Sequence, residues 1–319
     1  MAELSVIIPF VNEYPQILFT VQSIFCELRD EVDFEIICID NWCAEVESQQ
    51  RKEDKGGDKI RGLAEGNHRP WLKYLKYDKK LSHWQAKNFG VANSTGKFLW
   101  FCDSHCIVSP GSLKSMFRYY KEHHEEMNGS VHLPLSYMGE RPGLELIYKL
   151  VLEEAHGVYH YSFTNYNKNV PPGNNGTPFR MPCMSTCGMM ITRELYDLLG
   201  GWPKELGIYG GGEHFINFTL AVLGKTVNIF PTLPLYHYAE ERGYHWNYND
   251  YHRNRCVATF IFGGEERAKT YMKFVKGRPL VLDGIYYDVV IKEREHRDII
   301  AERQVMTIQE WAKQWKPKE

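Results

Sequence analysis

Lys97-Phe98-Leu99-Trp100-Phe101-Cys102-Asp103-Ser104-His105-Cys106 is an apolar run that stops at an acid and an imidazole. A strand buried on both faces of a parallel sheet reads as a continuous hydrophobic run, and in such sheets ligands bind just beyond the carboxyl ends of the strands. Asp103 and His105 therefore stand where chemistry is expected. Two residues apart on an extended chain, their side chains point the same way, so a carboxylate oxygen and an imidazole nitrogen can share a divalent cation. The same spacing equally allows an acid and a histidine that simply hydrogen-bond at a strand end.

Working outward toward the amino terminus, Ser5-Val6-Ile7-Ile8-Pro9 has the Val/Ile content of a buried strand. Val11 to Pro15 reads as a loop, and Ile17, Val21, Ile24, Phe25 and Leu28 recur at helical spacing, which predicts a helix over 16–28. Phe34 to Ile39 is a further buried strand that stops at Asp40-Asn41. Strand, helix, strand of this length is a right-handed crossover, the start of a doubly wound α/β sheet. Residues 45–69 are charged and contain glycines, and read as a solvated insertion. Leu72 to Tyr77 predicts a short strand and Trp84 to Ala92 a helix, after which Thr95-Gly96 turns the chain into the central run.

On the other side, a helix is predicted over 110–127 and the pattern then becomes irregular. Residues 159–182, rich in Asn, Tyr, Pro and Gly, read as a long functional loop. Met189 to Leu199 resumes a strand-to-helix pattern. Gly210-Gly211-Gly212-Glu213 opens an apolar helix; glycines allow close backbone approach to a ligand, and a helix amino terminus favours anions. Val227 to Pro231 predicts another strand, leading to Tyr236-His237-Tyr238 and a segment dense in His, Tyr, Trp and Arg up to Arg255. By itself His237 reads as a structural histidine. From 256 to 319 an extension shows helical spacings but no catalytic constellation.

The chain has 319 residues, 43% of them hydrophobic, enough to bury a full core as one large domain or one domain with an appendage. Its formal net charge of −2, with acids and bases interspersed, excludes a global field that would draw it to nucleic acid or anionic lipid, although a local basic groove stays open. There is no run of about 18 apolar residues, so no membrane-spanning segment is expected. The amino terminus enters a strand without a secretory pattern, and the eight cysteines are scattered, several inside apolar runs. Both suit a reducing, cytoplasmic setting. Cys102/Cys106 and Cys183/Cys187 are only a loose match to zinc-ligand spacing and argue against a metal site there.

In order along the chain, these segments resemble the nucleotide-sugar glycosyltransferases of the A-type fold, and most closely the catalytic domain of the polypeptide N-acetylgalactosaminyltransferases. Ser5 to Glu13 with Thr20-Val21-Gln22-Ser23 is similar to that family's first strand and helix, and Glu35 to Asp40 to its second strand. Asp103-Ser104-His105-Cys106 resembles its Asp-x-His metal motif. Gly211-Gly212-Glu213, then Pro231 followed six residues later by His237, match its Gly-Gly-Glu segment and third metal ligand. The expected fold class is thus α/β, a Rossmann-like glycosyltransferase A fold with a central mostly parallel sheet flanked by helices, in a catalytic domain over 1–255 with a C-terminal extension over 256–319.

The resemblance implies a metal-dependent enzyme that transfers a hexose or N-acetylhexosamine from a UDP-sugar to an acceptor hydroxyl. It makes His237 the third metal ligand beside Asp103 and His105, with Mn²⁺ (or Mg²⁺) as cofactor, and Asp103 central to catalysis. Asp40 is implied to accept from the uracil imide, with Pro9, Phe10, Val11 and Glu13 lining the nucleoside pocket. Ser104, Gly211 and Gly212 are implied at the donor, Lys87 as a basic residue near it, and Glu213 by the sugar and acceptor. Arg242 is implied as a mobile cation for the leaving diphosphate, covered by Tyr244 and Trp246. The acceptor is left open among a protein, a glycan and a hydroxymethylated base of phage DNA. Inverting relatives carry Asp where this chain has His214, so retention is expected; an inverting chain-building transferase and a catalytically silent nucleotide-sugar-binding module are the alternatives. The chain departs from the family at Gly210, where the family has tryptophan, and at Thr186-Cys187, where it has paired glycines. Without an anchor, stem or lectin domain, a cytoplasmic relative of bacterial or viral style is expected.

Overall fold

The structure is a computed structural model that describes residues 2–49, 53–66, 69–137, 144–153, 157–238, 244–275 and 283–315. β1 (Leu4–Phe10), α1 (Gln16–Leu28) and β2 (Phe34–Asp40) make the first crossover. Every residue of β1 is buried, as a central strand covered on both faces requires. Each fully buried Ile or Leu there contributes about 1.5–3 kcal/mol.

The stretch 45–69, expected to be a solvated insertion, instead forms α2 (Ala44–Gln49) and α3 (Lys55–Glu65), after which β3 (Leu72–Lys76) extends the sheet. Asp54 caps α3 by accepting from Gly57 N at 2.9 Å, and Val46, Gly56, Gly57 and Ile60 are buried. Charges fill the outer faces, and the two glycines carry no hydrophobic signal, so the pattern resembles loop.

α4 (His83–Ala92) is capped by Ser82, whose hydroxyl accepts from Gln85 N, and leads to β4 (Phe98–Phe101), β5 (Cys106–Val108) and α5 (Ser112–Met127). β6 (Gly129–His132), β7 (Leu135–Tyr137), β8 (Glu145–Glu153), β9 (Val158–Asn165), β10 (Phe179–Met181) and β11 (Met189–Thr192) follow. The expected long loop over 159–182 is thus corrected: β9 pairs with β8 in a hairpin from Leu146↔Asn165 to Glu153↔Val158, and a short 3₁₀ turn over Tyr166–Lys168 precedes β10. Only Val158 of β9 is fully buried, so its hydrophobic pattern is weak.

α6 (Arg193–Leu198), α7 (Gly212–Val222), β12 (Thr226–Ile229), β13 (Leu235–His237), α8 (Tyr248–Val275), α9 (Asp283–Lys292), α10 (Arg294–Arg303) and α11 (Ile308–Lys313) complete the chain. The eight-stranded sheet has the order β10-β12-β6-β11-β4-β1-β2-β3, with β4, β1, β2 and β3 mutually parallel and β11 antiparallel between β4 and β6. A second sheet has the order β5-β13-β7-β8-β9. From β1 the chain winds outward through β2 and β3, then returns to place β4 on the other side of β1. That reversal opens a crevice at the carboxyl ends of β1 and β4, where open α/β sheets bind ligands.

The expected division between residues 255 and 256 falls inside α8. Cys256, Val257, Ala258, Phe260, Ile261 and Phe262 are buried in one apolar cluster that begins at Leu4 and includes Ile300, Ile308 and Trp311. The C-terminal helices therefore share the core of the sheet.

One carboxyl group makes that junction sensitive to pH. Glu293, buried just before α10, accepts from Glu205 N at 2.5 Å and has His296 Nδ1 3.8 Å from its other oxygen. Burial raises its pKa to about 7, the Glu205 charge adding to this while the backbone bond, Lys204 and Arg253 oppose it. Because the folded-state value lies above the unfolded one, the protonated group favours the fold at low pH, and this contribution is lost as pH rises through about 7. Glu293→Gln is expected to flatten the fall in stability between about pH 4.5 and about pH 7, as measured by urea melts.

Candidate active site at the switch point

β4 ends at Phe101 and β5 begins at Cys106, so Asp103 and His105 are presented by a turn rather than by an extended strand. β13 runs antiparallel to β5 with His237 opposite Cys106, which delivers a third side chain to the same point. His105 Nε2 lies 3.1 Å from His237 Nε2, and His237 Nε2 lies 3.3 Å from Asp103 Oδ2. One ligand atom from each residue falls within 4.8 Å of the others. The side chains stay partly open, at 34% exposure for Asp103, 22% for His105 and 11% for His237.

Two ring nitrogens and a carboxylate oxygen facing one another make a donor set that a divalent cation satisfies better than hydrogen bonds among themselves, since two facing nitrogens need a proton or a metal between them. His237 Nδ1 is buried with no hydrogen-bond partner among the described residues. Burial acts to raise the Asp103 pKa, but the His237 bond and the charges of Lys87, His237 and His105 outweigh it and hold the carboxyl well below its usual range. Burial lowers that of His105, and the Glu13 carboxylate, with Asp103, more than reverses this, to about 9.

Glu13 is the side chain that orients this site. Its Oε1 lies 3.3 Å from His105 Nδ1, leaving Nε2 to face the cluster. Asn12 and Glu13 both have positive φ, at 62° and 40°, in a region that non-glycine residues rarely occupy. What holds them there is the start of α3 and the residues leading into it: Gly56 N donates to Asn12 Oδ1 at 3.0 Å, and Asn12 Nδ2 donates to the Glu53 carbonyl at 3.1 Å. A Cβ at position 56 would stand 1.6 Å from the Asn12 carbonyl oxygen. Ser104, expected at the donor, is buried; Thr20 Oγ1 donates to its carbonyl at 2.8 Å and accepts from Cys106 N at 2.9 Å, pinning the turn at both ends.

Lys87 is 1% exposed, its Nζ 3.9 Å from Asp103 Oδ1 and 4.6 Å from the centroid of Trp84. Pro9 and Phe10 lie buried in β1. Val11 joins a small apolar cluster with Trp42, Cys43, Val46, Leu81 and Ile208, against which Tyr209, Tyr244 and Trp246 pack. Three residues expected around the donor, Val11, Tyr244 and Trp246, are therefore brought together. Arg242 lies outside the described residues.

Asp40, implied by the resemblance to accept from the uracil imide, is buried and takes part in three hydrogen bonds. Its Oδ1 accepts from Trp42 N at 2.8 Å, and its Oδ2 accepts from Tyr74 Oη and Lys76 Nζ, each at 2.7 Å. It forms the floor of a cleft of about 520 Å³, lined also by Trp42, Glu47, Glu53, Asp54, Asp58 and Arg61. Burial and the Asp40 charge raise the Asp54 pKa to about 6.

Across the site, Glu213 Oε1 accepts from Thr186 Oγ1 at 3.0 Å. The glycines before it are explained by packing: a Cβ at 211 would meet the Asn254 carbonyl oxygen at 2.4 Å, and one at 212 would meet the Trp84 ring at 2.0 Å. His214 is buried between Tyr161 and Phe218, and burial with the nearby Arg255 charge pushes its pKa well below the imidazole range, so it is neutral. An aromatic wall of Tyr137, Phe163, Tyr148 and Tyr161 connects His237 to His214. Thr20, Thr186 and Asn12 stood in the sequence only as members of matched or departing segments, without these bonding roles, and the aromatic wall was not read at all. The one signal available was the Asn12-Glu13 pair just past a buried strand, together with the paired glycines at 56 and 57.

The profile of the family described as Glycosyl transferase family 2 matches residues 5–199. N-acetylgalactosaminyltransferase 6 of Drosophila melanogaster is 25% identical over 236 residues, covering 69% of this chain and 31% of its own length. Polypeptide N-acetylgalactosaminyltransferase 11 of Xenopus tropicalis is 24% identical over 245 residues, covering 75% and 38%. The chain thus spans about a third of the length of these curated relatives. The crystal structure of GalNAc-T7 with UDP, GalNAc and Mn²⁺ superposes with a TM-score of 0.74 at 16% identity, covering 98% of this chain and 56% of that one. S. aureus TarS 1–349 in complex with UDP-GlcNAc does so at 0.51 and 13%, covering 94% and 80%. The fold is accordingly the glycosyltransferase A fold. No described helix is long and apolar enough to cross a membrane.

Since the carboxylate that orients a metal-binding histidine sets its ligating power, Glu13→Gln is expected to weaken divalent-cation binding about 10- to 100-fold with an unchanged circular dichroism spectrum. Gly56→Ala, remote from the Asp103 cluster, is expected to weaken it in the same direction by displacing Asn12. Calorimetric titration with Mn²⁺ measures both.

Proposed function

The chain belongs to glycosyl transferase family 2, and we propose that it transfers an N-acetylhexosamine or hexose from a UDP-sugar to an acceptor hydroxyl. The observation that carries this reading is the convergence of Asp103, His105 and His237 at the β1–β4 crevice. Asp103, His105 and His237 would hold Mn²⁺ (or Mg²⁺), which when bound neutralises charge on the departing diphosphate. A mixed nitrogen and oxygen donor set suits Mn²⁺ better than Mg²⁺, and Mn²⁺ is the ion in the GalNAc-T7 structure.

The chain's own groups supply the rest. Lys87, buried beside Asp103, contributes a fixed positive charge where the diphosphate leaves. Arg242, outside the described residues, is the second cation for the diphosphate in this reading, and Tyr244 and Trp246 exclude water by packing over Val11 and Trp42. Lys76 and Tyr74, fixed by Asp40, line the cleft for the nucleoside. Glu213, held by Thr186, faces the sugar and the acceptor. His214 is packed neutral among aromatic rings, so no carboxylate follows Glu213 to take the acceptor proton, which favours retention: the leaving diphosphate oxygen accepts that proton on the same face of the sugar. The relatives' names favour a polypeptide hydroxyl as acceptor.

Release of UDP from a UDP-sugar separates this reading from a silent binding module. Asp103→Ala and excess chelator are each expected to abolish it, and full activity in chelator would overturn the metal requirement. An α-linked product from an α-linked donor, read from anomeric proton couplings, is expected; a β-linkage would make the enzyme inverting. Residues 244–255 should gain protection from hydrogen exchange when UDP and Mn²⁺ are added together.

A further inference from the structure

Behind the turn that carries Asp103 and His105, three thiols meet. Cys102 follows β4, Cys106 opens β5, and Cys187 precedes the strand β11. Their exposures are 0%, 0% and 3%. Cys106 Sγ and Cys187 Sγ are 3.5 Å apart, and the three sulfurs lie within 4.8 Å of one another. Cys183, the neighbour of Cys187 in the sequence spacing, is not part of the group. Three residues from two distant stretches of chain converge, which spacing alone did not reveal.

The sulfur triangle has the dimensions of a thiolate coordination site. Metal–sulfur bonds of about 2.3 Å set sulfur–sulfur edges of about 3.8 Å in a tetrahedral site and about 4.0 Å in a trigonal one. The Cys106–Cys187 separation of 3.5 Å lies slightly inside these values, and the other two edges are below 4.8 Å. The donor chemistry also differs sharply from that of the neighbouring cluster: nitrogen and carboxylate ligands suit Mn²⁺, whereas an all-thiolate set selects soft ions with filled d shells. The two sets share one short turn, since Cys102 adjoins Asp103 and Cys106 adjoins His105.

We propose that Cys102, Cys106 and Cys187 form a second cation site, for a soft d¹⁰ ion such as copper(I) or zinc, back to back with the Asp103 cluster. Each thiol that ligates releases its proton to solvent. The bound ion ties the β4–β5 turn to the segment holding Thr186, the partner of Glu213, and so braces both sides of the site. The inference rests on the thiol geometry alone and stands whether or not the transferase reading holds.

The full-length protein, reduced and kept under inert gas, is titrated with Cd²⁺ alone, and thiolate-to-cadmium charge transfer is followed in the ultraviolet. A band that saturates at one equivalent, persists in Asp103→Ala and Cys26→Ala and is lost in Cys187→Ala is the expected result. No band in the wild type, a band that survives Cys187→Ala, or one that vanishes in Cys26→Ala would overturn the proposal. Should Cys187→Ala fail to fold, alkylation of the wild type followed by peptide mass analysis decides: bound Cd²⁺ should slow labelling of Cys102, Cys106 and Cys187 at least about tenfold, leaving Cys26 unchanged. Equal rates with and without the ion would count against the site. Copper(I) or zinc should displace the cadmium and extinguish the band; displacement by neither would overturn the assignment to their class.

Discussion

The contact between the Glu13 carboxylate and His105 Nδ1 bridges the crevice where the sheet reverses direction. β1 and β4 are adjacent parallel strands, so the segments that leave their carboxyl ends emerge side by side and the gap between them is set by strand spacing. A glutamate after one strand and a histidine after the other can span that gap only if the first segment bends back. The left-handed Asn12-Glu13 pair makes the bend, and the start of α3, with the residues leading into it, keeps it in place through Gly56 and the Glu53 carbonyl. The orientation of a ring at the centre of the site thus depends on a helix whose sequence looks like surface.

Charge is arranged around the same crevice in opposed layers. Asp103 is an anion among two histidines and a lysine, and that company keeps it ionised despite its partial burial. Lys87 is almost wholly withdrawn from water between two tryptophan rings, yet one carboxylate oxygen lies within 3.9 Å of it. A buried ammonium is costly unless it has an anion or the face of an aromatic ring, and here it has both. For a diphosphate bound as proposed, Lys87 has little solvent shell to shed, so its charge would act in a medium of low dielectric at little reorganisation cost.

Much of the fold was legible in the sequence because the central strands are continuous apolar runs and α1 has clean helical spacing; the helix expected over 16–28 is the helix observed. Asp103 and His105 stood out as polar residues ending such a run. His237 was invisible as a ligand by its own spacing, since what delivers it is an antiparallel register with β5, a pairing across more than a hundred residues of chain. The helices over 44–65 were lost because glycine pairs and surface charges imitate a loop. β9 was lost because a half-exposed strand of alternating aromatic and polar residues buries too little to announce itself. The glycines before Glu213 were read as making room for a ligand, whereas the atoms that would collide with a Cβ belong to Asn254 and Trp84.

Trp84 has two neighbours that otherwise share nothing. One edge of its ring fills the space a side chain at 212 would need, and its face carries the Lys87 ammonium. The amino terminus of α7, with Glu213, therefore rests on the same indole that positions the buried cation on the opposite flank. Substitutions at 84 and 212 are coupled: alanine at 212 requires the Trp84 ring to shift, whereas a smaller side chain at 84 leaves room for it. Shrinking the ring first opens the space at 212 but withdraws from Lys87 the nearer of its two aromatic faces, leaving Trp202.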